Sequence, residues 1–199
     1  MASIESLEEL LQDELKDIYD AEKQITKALP KMAKKASSDE LRQAFEEHLR
    51  QTEQQIERLE QVFEQLELPA RGKKCEGMKG LLEEGQTMMS EADDDATRDA
   101  VMIASAQKVE HYEIAAYGTV RTWANLLGKS EVASLLEETL EEEKETDQRL
   151  TGIAEAMVNP EAAKDEEAEA APRGASARGG ARAAMSRGAR HAAADRKRR

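Results

Sequence analysis

Four long stretches of this chain place an apolar side chain every third or fourth residue, and that repeat limits the fold more than any other feature. The first runs Leu11, Leu15, Ile18, Glu22, Ile25, Leu29, Met32. The second runs Leu41, Phe45, His48, Thr52, Gln55, Leu59, Val62, Leu66, and the third Ile103, Ala106, Glu110, Glu113, Tyr117, Val120, Ala124, Leu127. The fourth runs Val132, Leu136, Thr139, Glu143, Thr146, Leu150, Ile153. An alternating three-four spacing puts these residues on one stripe of an α-helix, the seam of helices that cross at shallow angles in a bundle. With aromatic residues at 3% and strong helix formers abundant, there is little material for a sheet.

Punctuation sets the expected boundaries. The first helix is capped by Ser3 or Ser6 and runs to about Leu29, where Pro30 should kink or end it, with a short continuation towards Ala36. Ser37 to Glu40 caps the second, which runs to about Leu68 before Pro69. The third follows Asp93-Asp94-Asp95 and ends at Gly128; the fourth is capped by Ser130 and stops at Asn159-Pro160. The first and last connections are short, so each pair is an antiparallel hairpin. The middle connection, about Glu67 to Thr97, is long and carries its own amphipathic segment, Gly77 to Met89. Two hairpins joined by a long crossover define an all-α, ferritin-like four-helix bundle over residues 1–160.

Beyond Pro160 the residues are almost wholly Ala, Gly, Arg and Glu, too poor in apolar surface to repay ordering, so 161–199 reads as a disordered tail. From Ala171 to Arg199 nine Arg/Lys face one Asp, a net +8. Against -13 for the whole chain, the remainder carries -21. An acidic body repels nucleic acid; the Arg-rich tail could contact nucleic acid or another anionic partner through phosphates alone. One cysteine, Cys75, excludes an internal disulfide, and a charged N-terminus without an apolar run reads as neither signal peptide nor membrane span. A reducing cytoplasm is the expected location.

Every seam turns polar near its middle, at Glu22, at His48 with Thr52 and Gln55, at Glu110 and Glu113, and at Glu143 with Thr146. A carboxylate in an apolar seam is costly unless a proton, a partner or a metal neutralises it. Glu22 lies 16 residues before Ser38 and Glu113 17 before Ser130; His48 lies 10 after Ser38, with Glu142 and Glu143 12 and 13 after Ser130. At ~1.5 Å per residue these levels agree to about one turn. HLRQTEQQI from His48 also echoes EEKETDQRL from Glu142. Oxygen-rich sites with one or two imidazoles suit iron or manganese. The candidate ligands are therefore Glu22, His48, Glu110, Glu113, Glu142 and Glu143, with Glu142 and Glu143 competing for one place and Glu14 a lesser alternative to Glu22. Solvated surface carboxylates, or inward ones held by protons or partners, are the competing readings.

YDAEKQITKALPKMA, FEEHLRQTEQQIERLEQVF, KCEGMKGLLEEG, KVEHYEIAAYGTVRTWA and ETLEEEKETDQRL together resemble the YciE/YciF family of bacterial ferritin-like stress-response proteins, over roughly residues 4 to 158. The resemblance implies a ferritin-like bundle, a homodimer and a di-iron centre, with no defined activity. The usual ferritin-like ligand set has two Glu-x-x-His motifs; here Phe45 precedes His48 by three, and Thr146 follows Glu143 by three.

The remaining residues read more plainly. Thr52, Gln55 and Thr146 are hydrogen-bond partners of ligands rather than ligands. Tyr19, Tyr112 and Tyr117 read as core packing before proton or electron carriers, His111 as peripheral, and Cys75 as a free thiol, with Lys73 and Lys74 able to lower its pKa. Nucleophile triads, phosphate loops and thiolate zinc sites find no support. Two functions compete: iron handling or oxygen and peroxide chemistry at the interior site, and a dimeric stress or scaffold protein whose basic tail binds nucleic acid or acidic partners.

Overall fold

Each seam folds as a helix, and most begin where a side chain can serve the first unpaired amides. The computed structural model describes residues 4–170. Helix α1, Leu7–Lys35, is capped by Ser6, whose Oγ accepts from the Glu9 N–H at 3.1 Å. Helix α2, Asp39–Gln65, is capped by Ser38. Helix α3, Glu76–Glu91, occupies the crossover, and α4, Asp95–Leu126, starts from Asp94, which accepts from the Thr97 N–H at 2.8 Å. Helix α5 spans Ser130–Ile153. Ser130 is its first helical residue rather than its cap; Lys129 holds the cap position without a side-chain bond.

At Pro30 the continuation towards Ala36 is what forms; at Pro160 the expected stop does not occur. Pro30 does not end α1: Met32 and Ala33 are buried, and their packing holds the last turn on the bundle while exposed Pro30 gives up an amide on the solvent side. Nor does the fourth helix stop at Asn159-Pro160. It passes through a π-turn, Ala154–Val158, into α6, Asn159–Ala170. The Asn159 N–H reaches back five residues to the Ala154 carbonyl. That wider turn makes room for the Pro160 ring, which would collide with the backbone of a regular α-turn. Buried Ala154 and Val158 anchor the turn, and α6 lies along α4. Residues 161–170, expected in the disordered tail, are thus helical; the disorder expected of 171–199 lies outside the described residues.

Helices α1 and α2 form one hairpin and α4 and α5 the other, joined across α1–α4 and α2–α5, with α3 packed on α4 and α1. No strand occurs among the described residues. The architecture is the all-α, ferritin-like bundle with a long crossover. No described helix is long and apolar enough to cross a membrane.

The crossover is tied down by polar contacts. Tyr112 Oη donates to Asp17 at 2.8 Å and lies 3.1 Å from Cys75 Sγ, the Cys75 N–H donates to Asp20 at 2.9 Å, and Gln24 donates to the Cys75 carbonyl at 3.0 Å. Cys75 is wholly buried, and burial pushes its thiol pKa up. The expected acidifying lysines are engaged elsewhere, Lys73 with Asp13 at 2.6 Å and Lys74 with Glu76. The thiol is structural and unreactive. At the α1–α2 corner, Asp99 from α4 accepts from the Ser37 N–H (3.0 Å), the Ser37 hydroxyl (2.6 Å) and the Ser38 N–H (2.8 Å).

The interior has two apolar bodies. One gathers Ile25, Leu29, Phe45, Met102, Ile103 and Leu150; the other Leu11, Leu15, Leu59, Phe63, Val120 and Leu136. Between them in the sequence of every long helix stand the polar interruptions.

Candidate metal centre

The polar residues of the four seams meet. Glu22 from α1, His48 from α2, Glu110 and Glu113 from α4 and Glu143 from α5 are each at most 4% exposed. One ligand-capable atom from each of His48, Glu110, Glu113 and Glu143 lies within 4.8 Å of all the others. The imidazole sits centrally, Nδ1 3.5 Å from Glu110 Oε1 and Nε2 4.0 Å from Glu143 Oε2. Glu22 from α1 lies outside this group of four, beside Glu113, and is held by the Tyr117 hydroxyl, which donates to its Oε1.

The decisive observation is what these groups lack. Both oxygens of Glu110, Glu113 and Glu143, Glu22 Oε2 and His48 Nε2 are buried without a hydrogen-bond partner. Buried polar atoms are overwhelmingly paired, and seven orphaned carboxylate oxygens around one point are far outside that norm. No described Lys or Arg side chain hydrogen-bonds these four carboxylates. Burial, and then the neighbouring carboxylates, push Glu22, Glu110 and Glu113 well above the usual carboxylate range. Glu143 rises to about 7, chiefly by burial. Burial lowers His48 to about 4, so its imidazole is neutral near pH 7 and keeps a free lone pair. The donor set is therefore oxygen-rich with one nitrogen, the chemistry of a hard or borderline cation, and the residues fit a metal.

Glu142 is placed differently. Its carboxylate is gripped from two sides by Arg58, Nη2 to Oε1 at 2.9 Å and Nη1 to Oε2 at 3.0 Å, and it takes a bond from Gln55 Nε2 at 3.0 Å. Arg58 also donates to Thr139 at 2.7 Å. Glu142 thus stands outside the cluster and ties α2 to α5 beside it. Thr52 donates to the His48 carbonyl, and Thr146 to the Glu142 carbonyl. His111 lies on the surface, 3.5 Å from Asp147, and half-buried Glu14 is not in the cluster. Arg58 and the Tyr117 bond escape sequence reading: Arg58 flanks the seam, and its partner is 84 residues away.

A family model described as a domain of unknown function, DUF892, matches residues 6–163. The chain belongs to the DUF892 family. Protein YciF of Escherichia coli strain K12 is 47% identical over 161 residues, covering 80% of this chain and 97% of YciF. The crystal structure of the E. coli stress protein YciF superposes with a TM-score of 0.75 at 48% identity, covering 78% of this chain and 99% of the other. YcfI of Rhodopseudomonas palustris gives 0.74 at 44% identity, with 75% and 95% covered. A Xanthomonas campestris pv. campestris protein gives 0.63 at 26% identity, with 81% and 99% covered. The resemblance to YciE/YciF is shown by these matches.

In this DUF892 member both departures from the paired Glu-x-x-His pattern are visible: Thr146, in the imidazole position, donates to the Glu142 carbonyl and to Gln51 instead. Phe45, in the carboxylate position one turn before His48, is 1% exposed in the apolar body with Ile25, Leu29 and Ile103. Glu110 and Glu113, one turn apart on α4, both belong to the cluster.

Proposed function

We propose that this protein is a stress-response member of its family that binds a dinuclear metal centre, iron or manganese, between its four long helices. The seven unpartnered carboxylate oxygens support this most directly. Four carboxylates and a neutral imidazole carry a charge that two divalent cations would cancel and one would not. Glu22, His48, Glu110, Glu113 and Glu143 would hold the ions, and Glu142 would position α5 through Arg58. Bound iron would supply one-electron chemistry towards oxygen or peroxide. Tyr117 fixes one oxygen of Glu22 and leaves the other buried without a partner. The two apolar bodies keep bulk water from the carboxylates, and the neutral imidazole offers a lone pair without first losing a proton.

Anaerobic titration of the purified protein with Fe(II) or Mn(II), read as metal per chain and as thermal shift, tests the proposal. About two ions per chain are expected, with a rise in melting temperature that His48→Ala with Glu113→Ala abolishes. Binding well below one ion per chain, or unchanged uptake by the double variant, would overturn it. A cytoplasmic homodimer fits the same proposal. The nine Arg/Lys of 171–199 support a second role, salt-sensitive contact of the tail with nucleic acid.

A further inference from the structure

A groove of about 760 Å³ lies between α1, α3 and α4, away from the carboxylate cluster's own residues. Its floor is apolar, made by Met32, Leu81, Leu82, Met89 and Val109. Its rim along α1 is cationic. Lys27, Lys31, Lys34 and Lys35 fall on one face of that helix and all line the groove. All four are exposed, and none takes part in an ion pair among the described residues, although the chain outside 171–199 carries -21. Lys34 and Lys35 sit in the last turn of α1, where they oppose the helix dipole; Lys27 and Lys31 stand further back and have no such role. Of the other charged residues lining it, Lys79 and Glu83 pair with each other at 3.2 Å, so the unpaired charge is purely positive.

The wall holds a second signal. Ser105 is 8% exposed, lines the groove, and its Oγ has no hydrogen-bond partner. Gly85, opposite, has no side chain; a Cβ there would stand 3.0 Å from Ser105 Oγ, so α3 approaches α4 closely at this point. An apolar slot of several hundred Å³, with a few polar groups placed at one side, is the usual form of a small-molecule site. Unpaired lysines over such a slot complement an anionic head on an apolar chain.

We propose that this groove binds a single-chain amphiphilic anion, a long-chain fatty acid, with the acyl chain on the Met32–Leu82–Met89 floor and the carboxylate among the α1 lysines. The proposal is independent of the metal centre.

The test is displacement of a dansylated fatty acid from the full-length protein, below the micellar concentration, by palmitate, hexadecanol and acetate. Palmitate should displace the probe, hexadecanol at least tenfold more weakly, and acetate not at all. Lys31→Glu with Lys34→Glu should weaken palmitate at least tenfold. Ala28→Trp, which fills the slot from the half-buried face of α1, should abolish binding while circular dichroism stays unchanged. Equal displacement by palmitate and hexadecanol, or palmitate binding that survives Ala28→Trp, would overturn the proposal. So would absence of palmitate binding in a protein whose sedimenting mass falls on charge reversal, which would make this face an interface between copies of the chain.

Discussion

Removing metal should invert the ordinary pH dependence of stability, and Glu143 gives the size of the effect. Its carboxyl rises from the ordinary 4.5 to about 7 because it is buried. Between those values the folded chain holds a proton that the unfolded chain has lost, so the contribution is complete below pH 4.5 and is lost as pH climbs through 7. At about 1.36 kcal/mol per pH unit the span is worth ~3 kcal/mol, a large share of a typical domain's stability. The measurement is urea unfolding at pH 5, 6, 7 and 8 in excess chelator, for the natural chain and for Glu143→Gln. Natural protein should lose at least ~2–3 kcal/mol from pH 5 to pH 8, the part of that span lying above pH 5, and the difference between the two proteins isolates Glu143 from repulsion among surface carboxylates. Glu143→Gln should lose about 2–3 kcal/mol less over that window and be the more stable of the two at pH 8. With Mn(II) the slope should flatten or reverse, since metal replaces the protons. Two parallel curves in chelator, with no gap opening above pH 6, would refute the reasoning: the carboxylates would then be solvated or paired.

Asp99→Ala should lower stability by about 3 kcal/mol in thermal or urea unfolding, because it strands two backbone amides and a hydroxyl at the α1–α2 corner. The glycines separate by their surroundings. Gly77→Ala places a Cβ 2.9 Å from the Tyr112 ring and should cost about 1–3 kcal/mol, whereas Gly80→Ala meets nothing within 4 Å and should gain up to ~1 kcal/mol in the same assay. A chain ending at residue 170 should retain DNA at low salt less than the full-length protein; equal retention would remove the role proposed for the tail.

The helices and the level of the site were legible because both rest on period and offset, which are local. Leu11 to Met32 or Val132 to Ile153 state their own phase, and the polar breaks at Glu22, His48, Glu113 and Glu143 lie at matching depths. What could not be read depends on partners distant in the chain. Glu142 and Glu143 are neighbours about 100° apart on one helix, and only Arg58, arriving from α2, shows which faces the interior cluster. Asp99 looks like one more acid in an acidic helix until Ser37, 62 residues away, is brought beside it. The passage beyond Pro160 rests on a π-turn that no composition rule anticipates, and on the burial of Val158.

The division of the interior into two greasy halves has its own consequence. Each half draws on all four long helices with the acidic layer between them, so whatever occupies that layer should decide whether they unfold together or apart. Hydrogen exchange at Leu15 and at Leu150, one in each half, would report that choice directly, slowing in step when the layer is filled and separating when it is empty. A protein made this way would announce its loading state through its own rigidity.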